Sequence, residues 1–558
     1  MKTMRVLRPV FVVALCFLCR GIEAHGAADN FPANNDGVHY IYTAEELAAL
    51  SLDDTCKLYV LGADINIPPD WVFIGQEAPA AAFKGSLDGR GHSISGLNIK
   101  VTDGGAYGLF GKLEGASISN IILVDAGMRI GDIHGYKLAA GLLAGEAISS
   151  TVSNITIMGG DIFIAGEGLA NAAIGGLIGN GEDLKLDGIC VTVEIGMHNS
   201  LRQHDTPKAV GGMAGSLNNS VLEGSCANVQ ICISAEAVGG IVGFATDTNF
   251  RSTSTNSGAV KGKSATGGFS GRVEGTGTII DCHSHADVTG GIAGGFAGQI
   301  SGNQLPANAN HGLKVTGSSA TGKVTSSAGG IAGGFLGEGK YTLIQDSSAY
   351  GEVDGCAGAG GFVGRLSCLS RVIYTYAVGD VRLGGGIACL GANALPIATE
   401  PHDPAKFMKF AGGFVGELVN SACVEFSYST GSVIAGRNDA ALTCATHAGN
   451  THAHEATILT AVGGFAGIIS ANGLPNTITH SLSFAPWVVG DGYVNRFVGH
   501  ADHDGINGCY AHLGSMVVRS GNIAHVLPSA FGQDGADMSS MQVEDITKRL
   551  GWRREVSR

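Results

Sequence analysis

Five side chains carry the strongest case for chemistry in this chain: His402, His447, His452, His454 and Glu455. Imidazole nitrogens and carboxylate oxygens, with Asp403 beside His402, are a donor set that Zn²⁺ or Ni²⁺ takes. The local pattern stops short of a metalloprotease. In His454-Glu455-Ala456-Thr457-Ile458, Ile458 stands where the second histidine must be. Histidines solvated on a loop account for the same residues without a metal, so no metal and no cofactor is assigned. Cys389 and Cys444 accompany these groups, one in each stretch. In an oxidising compartment they could pair, or stay two separate thiols. Two phosphate-loop look-alikes fail on composition. Residues 258–264 are one residue short after the first glycine, and 317–324 end in Val324 where Ser or Thr is required.

A hydrolase would instead need paired carboxylates, roughly 5–9.5 Å apart in glycosidases. The best pair available is Glu352 and Asp380, on the outward side of a repeated Gly-x-Val phrase. Solvated surface charge explains them more simply. Asp502-His503-Asp504-Gly505 hints at Ca²⁺ but is too short for a recognised loop.

What must position these residues is a repeat. The phrase Gly-Gly-apolar-small-Gly recurs, as in Gly239-Gly240-Ile241-Val242-Gly243 and Gly360-Gly361-Phe362-Val363-Gly364. Twelve copies close at Gly111, Gly145, Gly179, Gly215, Gly243, Gly271, Gly298, Gly337, Gly364, Gly416, Gly467 and Gly499. A fixed phrase at such spacing is the signature of a stacked architecture. Ile121 and Ile155 fall ten residues after a closing glycine, as does Ile189, and Asn120 and Asn154 just before them predict a short amide ladder. Later repeats add Val260, Val288, Val324, Val353, Val381 and Val433, each six residues after a small residue such as Ser254 or Cys282. That predicts strands with valine inward and a variable residue outward. Cys190, Cys226 and Cys282 share one offset from their glycines and read as buried packing residues.

The expected fold is all-β, a right-handed parallel β-helix of about twelve rungs, with glycine at the corners, where φ can be positive and no Cβ fits. At roughly 4.8 Å per rung the rod would be about 55–60 Å long. Residues 25–82 would cap it, starting with a Thr43…Glu46 capping box. The β-helix would run over 83–519, where 83–99 reads as a hairpin or a rung, and a coda over 520–558 would hold a short helix at 541–550. Two repeats are long, 52 and 51 residues, and their inserts, near 382–410 and 434–460, share one insertion point. The histidines above lie in these inserts, which predicts two adjacent loops on one side of the rod.

The formal net charge of −14, with no long Lys/Arg run, disfavours nucleic acid as a partner. Residues 1–24 read as a secretory signal: Lys2, Arg5 and Arg8, an apolar run from Val10 to Cys19, then a small residue, Ala24. No later apolar stretch is long enough for a membrane span. The location expected is extracellular, cell-surface or periplasmic.

Gly108-Leu109-Phe110-Gly111 and its relatives resemble the GLUG motif of bacterial secreted and surface proteins. The head is similar to the usual lead-in of that group: Thr43, Glu46 and Leu47, then Ala63 to Asn66, then Phe83 to His92. The resemblance covers roughly residues 38–500. It implies the β-helix and an adhesin-like role. Related repeats accompany bacterial immunoglobulin A metallopeptidases, whose chemistry resides in a separate domain. The reading is therefore a structural or adhesive scaffold whose partner is an extracellular protein or glycan. A carbohydrate-active enzyme is the less favoured alternative.

Overall fold

Repeats too glycine-rich for helices and too short for separate cores can bury their apolar residues only by stacking, and this chain stacks. The computed structural model describes residues 38–542 except 51, 53–56, 70, 72, 76–80, 135–136, 199–205, 305–311, 385–406, 437–441, 444–454, 457, 471–474, 503–504, 525–531 and 540–541. The described part of 39–558 is a parallel β-solenoid of about twelve turns. One coil shows the plan, with strands at Ala237–Gly239, Val242–Thr246, Asn249–Arg251 and Ser254–Lys261. Each pairs in parallel and in register with its equivalent on the next coil, as Val238 with Thr266 and Val242 with Ser270.

The twelve glycines predicted from sequence mark the twelve strands of one sheet, each glycine being its strand's second residue. Their role is the expected one in part: no Cβ fits at Gly215, Gly243, Gly271 or Gly298, where it would overlap backbone of the preceding coil. No closing glycine has a left-handed φ, and they lie in strands, not at corners. The left-handed corner comes later, at Asn120, Asn154, Ser252, Asp281, Asp346, Tyr374, Phe426 and His480, with φ of 46–56°. The amide ladder is present: Asn154 Nδ2 donates to Asn120 Oδ1 at 3.1 Å.

The valine ladder also stands. Val260, Val288, Val324, Val353, Val381 and Val433 pair in sequence on adjacent coils, all buried. The small residue six positions earlier is equivalent in five of the six. Ser254 pairs with His283 rather than Cys282, because an extra residue bulges the strand between Thr255 and Ser257. The buried small residue is a connector. Ser427 Oγ donates to the Glu425 carbonyl (2.8 Å) and accepts the Thr375 amide (3.4 Å); Ser318 and Ser347 repeat the arrangement. Ser427→Ala leaves buried polar groups without this partner and is expected to cost about 1–3 kcal/mol in urea denaturation. Ser427→Cys, matching Cys282 and Cys509 at the equivalent place, is expected to cost less.

The apolar residue of each glycine phrase fills the core. Leu109, Leu143, Leu177, Met213 and Ile241 are followed by seven phenylalanines: Phe269, Phe296, Phe335, Phe362, Phe414, Phe465 and Phe497. These rings stack 4.6–5.1 Å apart with interplanar angles of 1–8°, because the strand spacing sets their separation.

At the head, the capping box forms at Thr43 and Glu46 before the helix Ala44–Ala48. Residues 83–99 make a rung, not a hairpin: Ser86–Asp88 and Ser93–Ser95 pair in parallel with strands on both sides. The helix expected at 541–550 lies outside the described residues apart from Gln542. No helix among the described residues is long and apolar enough to cross a membrane.

Candidate functional site

The two long repeats leave and rejoin the solenoid in register. Val381–Leu383 pairs with Val433–Ala435 before the inserts, and Phe407–Gly412 pairs with Ile458–Gly463 after them. Both inserts therefore emerge from one edge on neighbouring coils. His402, Asp403, His447, His452, His454, Cys389 and Cys444 lie outside the described residues. Glu455 opens the strand Glu455–Ala456, which pairs antiparallel with Leu442–Thr443.

The carboxylates of the enzyme alternative are adjacent as expected, but they join coils together. Glu352 lies 2.9 Å from Arg382 and 3.7 Å from Lys323, and Asp380 Oδ1 accepts the Ser432 amide at 2.8 Å. Lys323 also meets Asp354 at 2.6 Å. The contacts form a ladder of charge along the stack, with both carboxylates engaged. The phosphate-loop look-alike at 258–264 lies in and just beyond the strand Ser254–Lys261 and is followed by another strand, where a phosphate loop would open a helix.

The same edge that carries the inserts holds a depression on the first coils. In the twelve-strand sheet, the third residue of each strand points outward. This gives the in-register row Lys112, Glu146, Asn180, Ser216, Phe244 and Arg272. Its inward neighbours Leu113, Ala147, Leu217, Ala245 and Val273 are buried, which fixes the outward direction. Five steps at the inter-strand spacing make the row roughly 24 Å long. Lys137 and Lys208 enter the adjoining strands Leu138–Gly141 and Ala209–Gly211 from the insert edge and lean over this row.

Two hollows result, of about 520 and 290 Å³, and they share Lys137. The first is walled by Phe73 and Tyr107, whose rings lie 5.2 Å apart, and by Lys100, Lys112 and Glu146. The second is lined by Asn171, Asn180, Lys208, Ser216 and Phe244. Glu146 meets Lys137 at 2.8 Å and Lys112 at 3.6 Å. Burial opposes ionisation of Glu146, but the hydrogen bond and charge of Lys137, then of Lys112, outweigh it and hold the carboxyl below its ordinary range. Burial, then the charge of Asp103, raises the Tyr107 phenol above its usual value, so it remains a donor at neutral pH. Lys208 Nζ lies 5.6 Å and Arg272 Cζ 5.9 Å from the Phe244 centroid. Four lysines (Lys100, Lys112, Lys137 and Lys208) face two carboxylates (Asp103 and Glu146), so the lining is net basic in an acidic chain. None of these residues forms a local motif; the only sequence signal is that Lys112, Glu146, Asn180, Ser216 and Phe244 each directly follow a closing glycine.

Farther along, a second feature escaped sequence reading. Tyr374, Phe426 and His480 all occupy the left-handed corner and stack at 5.2 and 5.1 Å. Near-parallel stacking turns their faces to one another and leaves edges to solvent.

Comparison with known proteins leaves the class at the fold, a parallel β-solenoid. No family model matches the chain. A stretch of 102 residues, 18% of the chain, is 38% identical to Halomucin of Haloquadratum walsbyi (strain DSM 16790 / HBSQ001). It spans 1% of that protein's length. Among solved structures, a candidate immunoglobulin A1 protease from Bacteroides ovatus aligns over 92% of this chain and 87% of its own. The identity is 12% and the TM-score 0.19, which carries no argument about either molecule.

Proposed function

We propose that this protein is a secreted or surface-exposed binding scaffold that holds an acidic glycan chain along the groove from Tyr107 to Phe244. The observation that carries the reading is the net-basic, aromatic-ended lining on a chain of charge −14. A field of one sign in a concave site concentrates the opposite charge. Lysines pair with sugar carboxylates or sulfates, and Asn171, Asn180 and Ser216 offer hydrogen bonds to hydroxyls. Phe73 and Phe244 present apolar surface to the C–H face of a pyranose. The inserts emerge from the same edge and would extend the contact surface. The N-terminal signal-like segment and the resemblance to GLUG proteins support the location.

The test is titration calorimetry of the full chain with polygalacturonate, chondroitin sulfate, dextran and poly-glutamate. An acidic glycan should bind, and binding should weaken as salt rises. Lys137→Ala and Lys208→Ala should each lose about 1–2 kcal/mol, roughly five- to thirtyfold in affinity. Equal binding of dextran, preference for poly-glutamate, or lysine variants that bind like wild type would overturn the reading.

A further inference from the structure

We propose that Cys190 and Cys226 form a disulfide, a covalent staple between neighbouring coils. The two residues open the strands Cys190–Met197 and Cys226–Cys232 and pair directly in register. Their sulfurs face each other across the two coils, 2.6 Å apart. In-register parallel strands are about 4.8 Å apart, inside the roughly 4.4–6.8 Å between Cα atoms that a disulfide bridges. The backbone is held on both sides of the pair. The Cys226 amide donates to the Ile189 carbonyl at 2.7 Å, and the Ile189 amide to Ser225 Oγ at 3.1 Å. Bond formation therefore requires no rearrangement of the coils.

Both cysteines are half-buried and outward, so an oxidant reaches them. The hydrogen bond from Cys226 outweighs burial and lowers the Cys190 thiol to about 7, which supplies thiolate at neutral pH. Cys282 and Cys509 differ: both are buried, burial pushes each to about 12, and their sulfurs point at backbone carbonyls. The shared offset from the glycines grouped Cys282 with the pair, yet its register partner is Ser318's neighbourhood in the core, and His283 takes the outward place.

The oxidant is a low-molecular-weight or protein disulfide. The Cys190 thiolate attacks one of its sulfurs, forming a mixed disulfide and expelling one thiolate. The Cys226 thiolate then attacks Cys190 Sγ and expels the second. Two protein thiols lose two electrons, the oxidant becomes two thiols, and the two protons pass to the expelled thiolates.

The experiment equilibrates the reduced full chain with glutathione disulfide, quenches with N-ethylmaleimide and maps the peptides without reductant. Both alkylation sites should be lost, with one linked peptide joining residues 190 and 226. Cys226→Ser should instead trap glutathione on Cys190, since no resolving thiol remains. Circular dichroism confirms that this variant is folded. Retention of both alkylation sites, separate glutathione adducts on the two cysteines of the wild-type chain, or a bond to another cysteine would overturn the proposal.

Discussion

Replacing Phe362 with alanine is expected to destabilise the solenoid by about 3–5 kcal/mol, seen as an earlier midpoint in urea denaturation followed by circular dichroism. The ring is wholly buried between Phe335 at 4.9 Å and Phe414 at 5.1 Å. Its neighbours cannot close the gap. Phe335 N donates to the Phe362 carbonyl at 2.8 Å and Phe362 N to the Phe414 carbonyl at 2.7 Å, so the backbone fixes the spacing of the rings. The cavity persists, and two stacking contacts of about 0.5–1.5 kcal/mol each are lost with it. In a stack where each coil touches only its neighbours, the damage stays local and can split the transition into phases. Phe362→Leu should recover most of the loss, because Leu109, Leu143 and Leu177 fill the same place on earlier coils. A wild-type midpoint for the alanine variant, or a leucine variant as unstable as the alanine one, would contradict this account of the core.

The features legible in the sequence are those a single coil repeats. The twelve glycines, the valine row and the Asn120–Asn154 bond each follow from counting, because parallel in-register strands convert equal spacing into vertical contact. Counting fails where one coil gains a residue. The bulge after Thr255 slips Ser254 against His283. Consecutive left-handed residues at Cys368–Leu369 and Asn420–Ser421 likewise delay the next corner. That corner escaped notice for another reason. Tyr374 and Phe426 hold a conformation that costs bulky residues roughly 1–2 kcal/mol, so their types argue against it, and the ring stacking that offsets the strain is visible only across coils.

The groove was hidden because Lys112, Lys137, Lys208 and Phe244 lie on different coils and share no motif. Only the register of the twelve-strand sheet lines up the outward row, and only the variable edge brings Lys137 and Lys208 over it. The insert spacing did identify that edge, since the paired strands flanking the inserts match on both sides. Glu352 and Asp380 show the opposite case. Their adjacency was readable, while their engagement by Arg382, Lys323 and the Ser432 amide was not, because those partners sit on neighbouring coils.

Gly271→Ala is expected to cost about 3 kcal/mol or more and to yield poorly folded protein, although alanine is the smallest possible change. The reason is contact between backbones. A Cβ at Gly271 would overlap Val238 N, and would sit 2.7 Å from Gly243 O and 2.8 Å from Ala237 C. Those atoms belong to strands tied into the coil before, so none can swing aside as a flexible side chain would. Gly215, Gly243 and Gly298 meet the preceding short strand in the same way. The contrasting variant is Gly115→Asn. Gly115 has φ +61° with nothing within 4 Å of a built Cβ, and asparagine tolerates the left-handed region, so a cost within about 1 kcal/mol is expected. The two glycines thus separate two physical demands, room and dihedral. Thermal denaturation of both variants decides which demand the repeated phrase serves. A stable Gly271→Ala would mean that the coils do not pack as closely as described, and a badly damaged Gly115→Asn would mean that the open left-handed turn demands more than its dihedral.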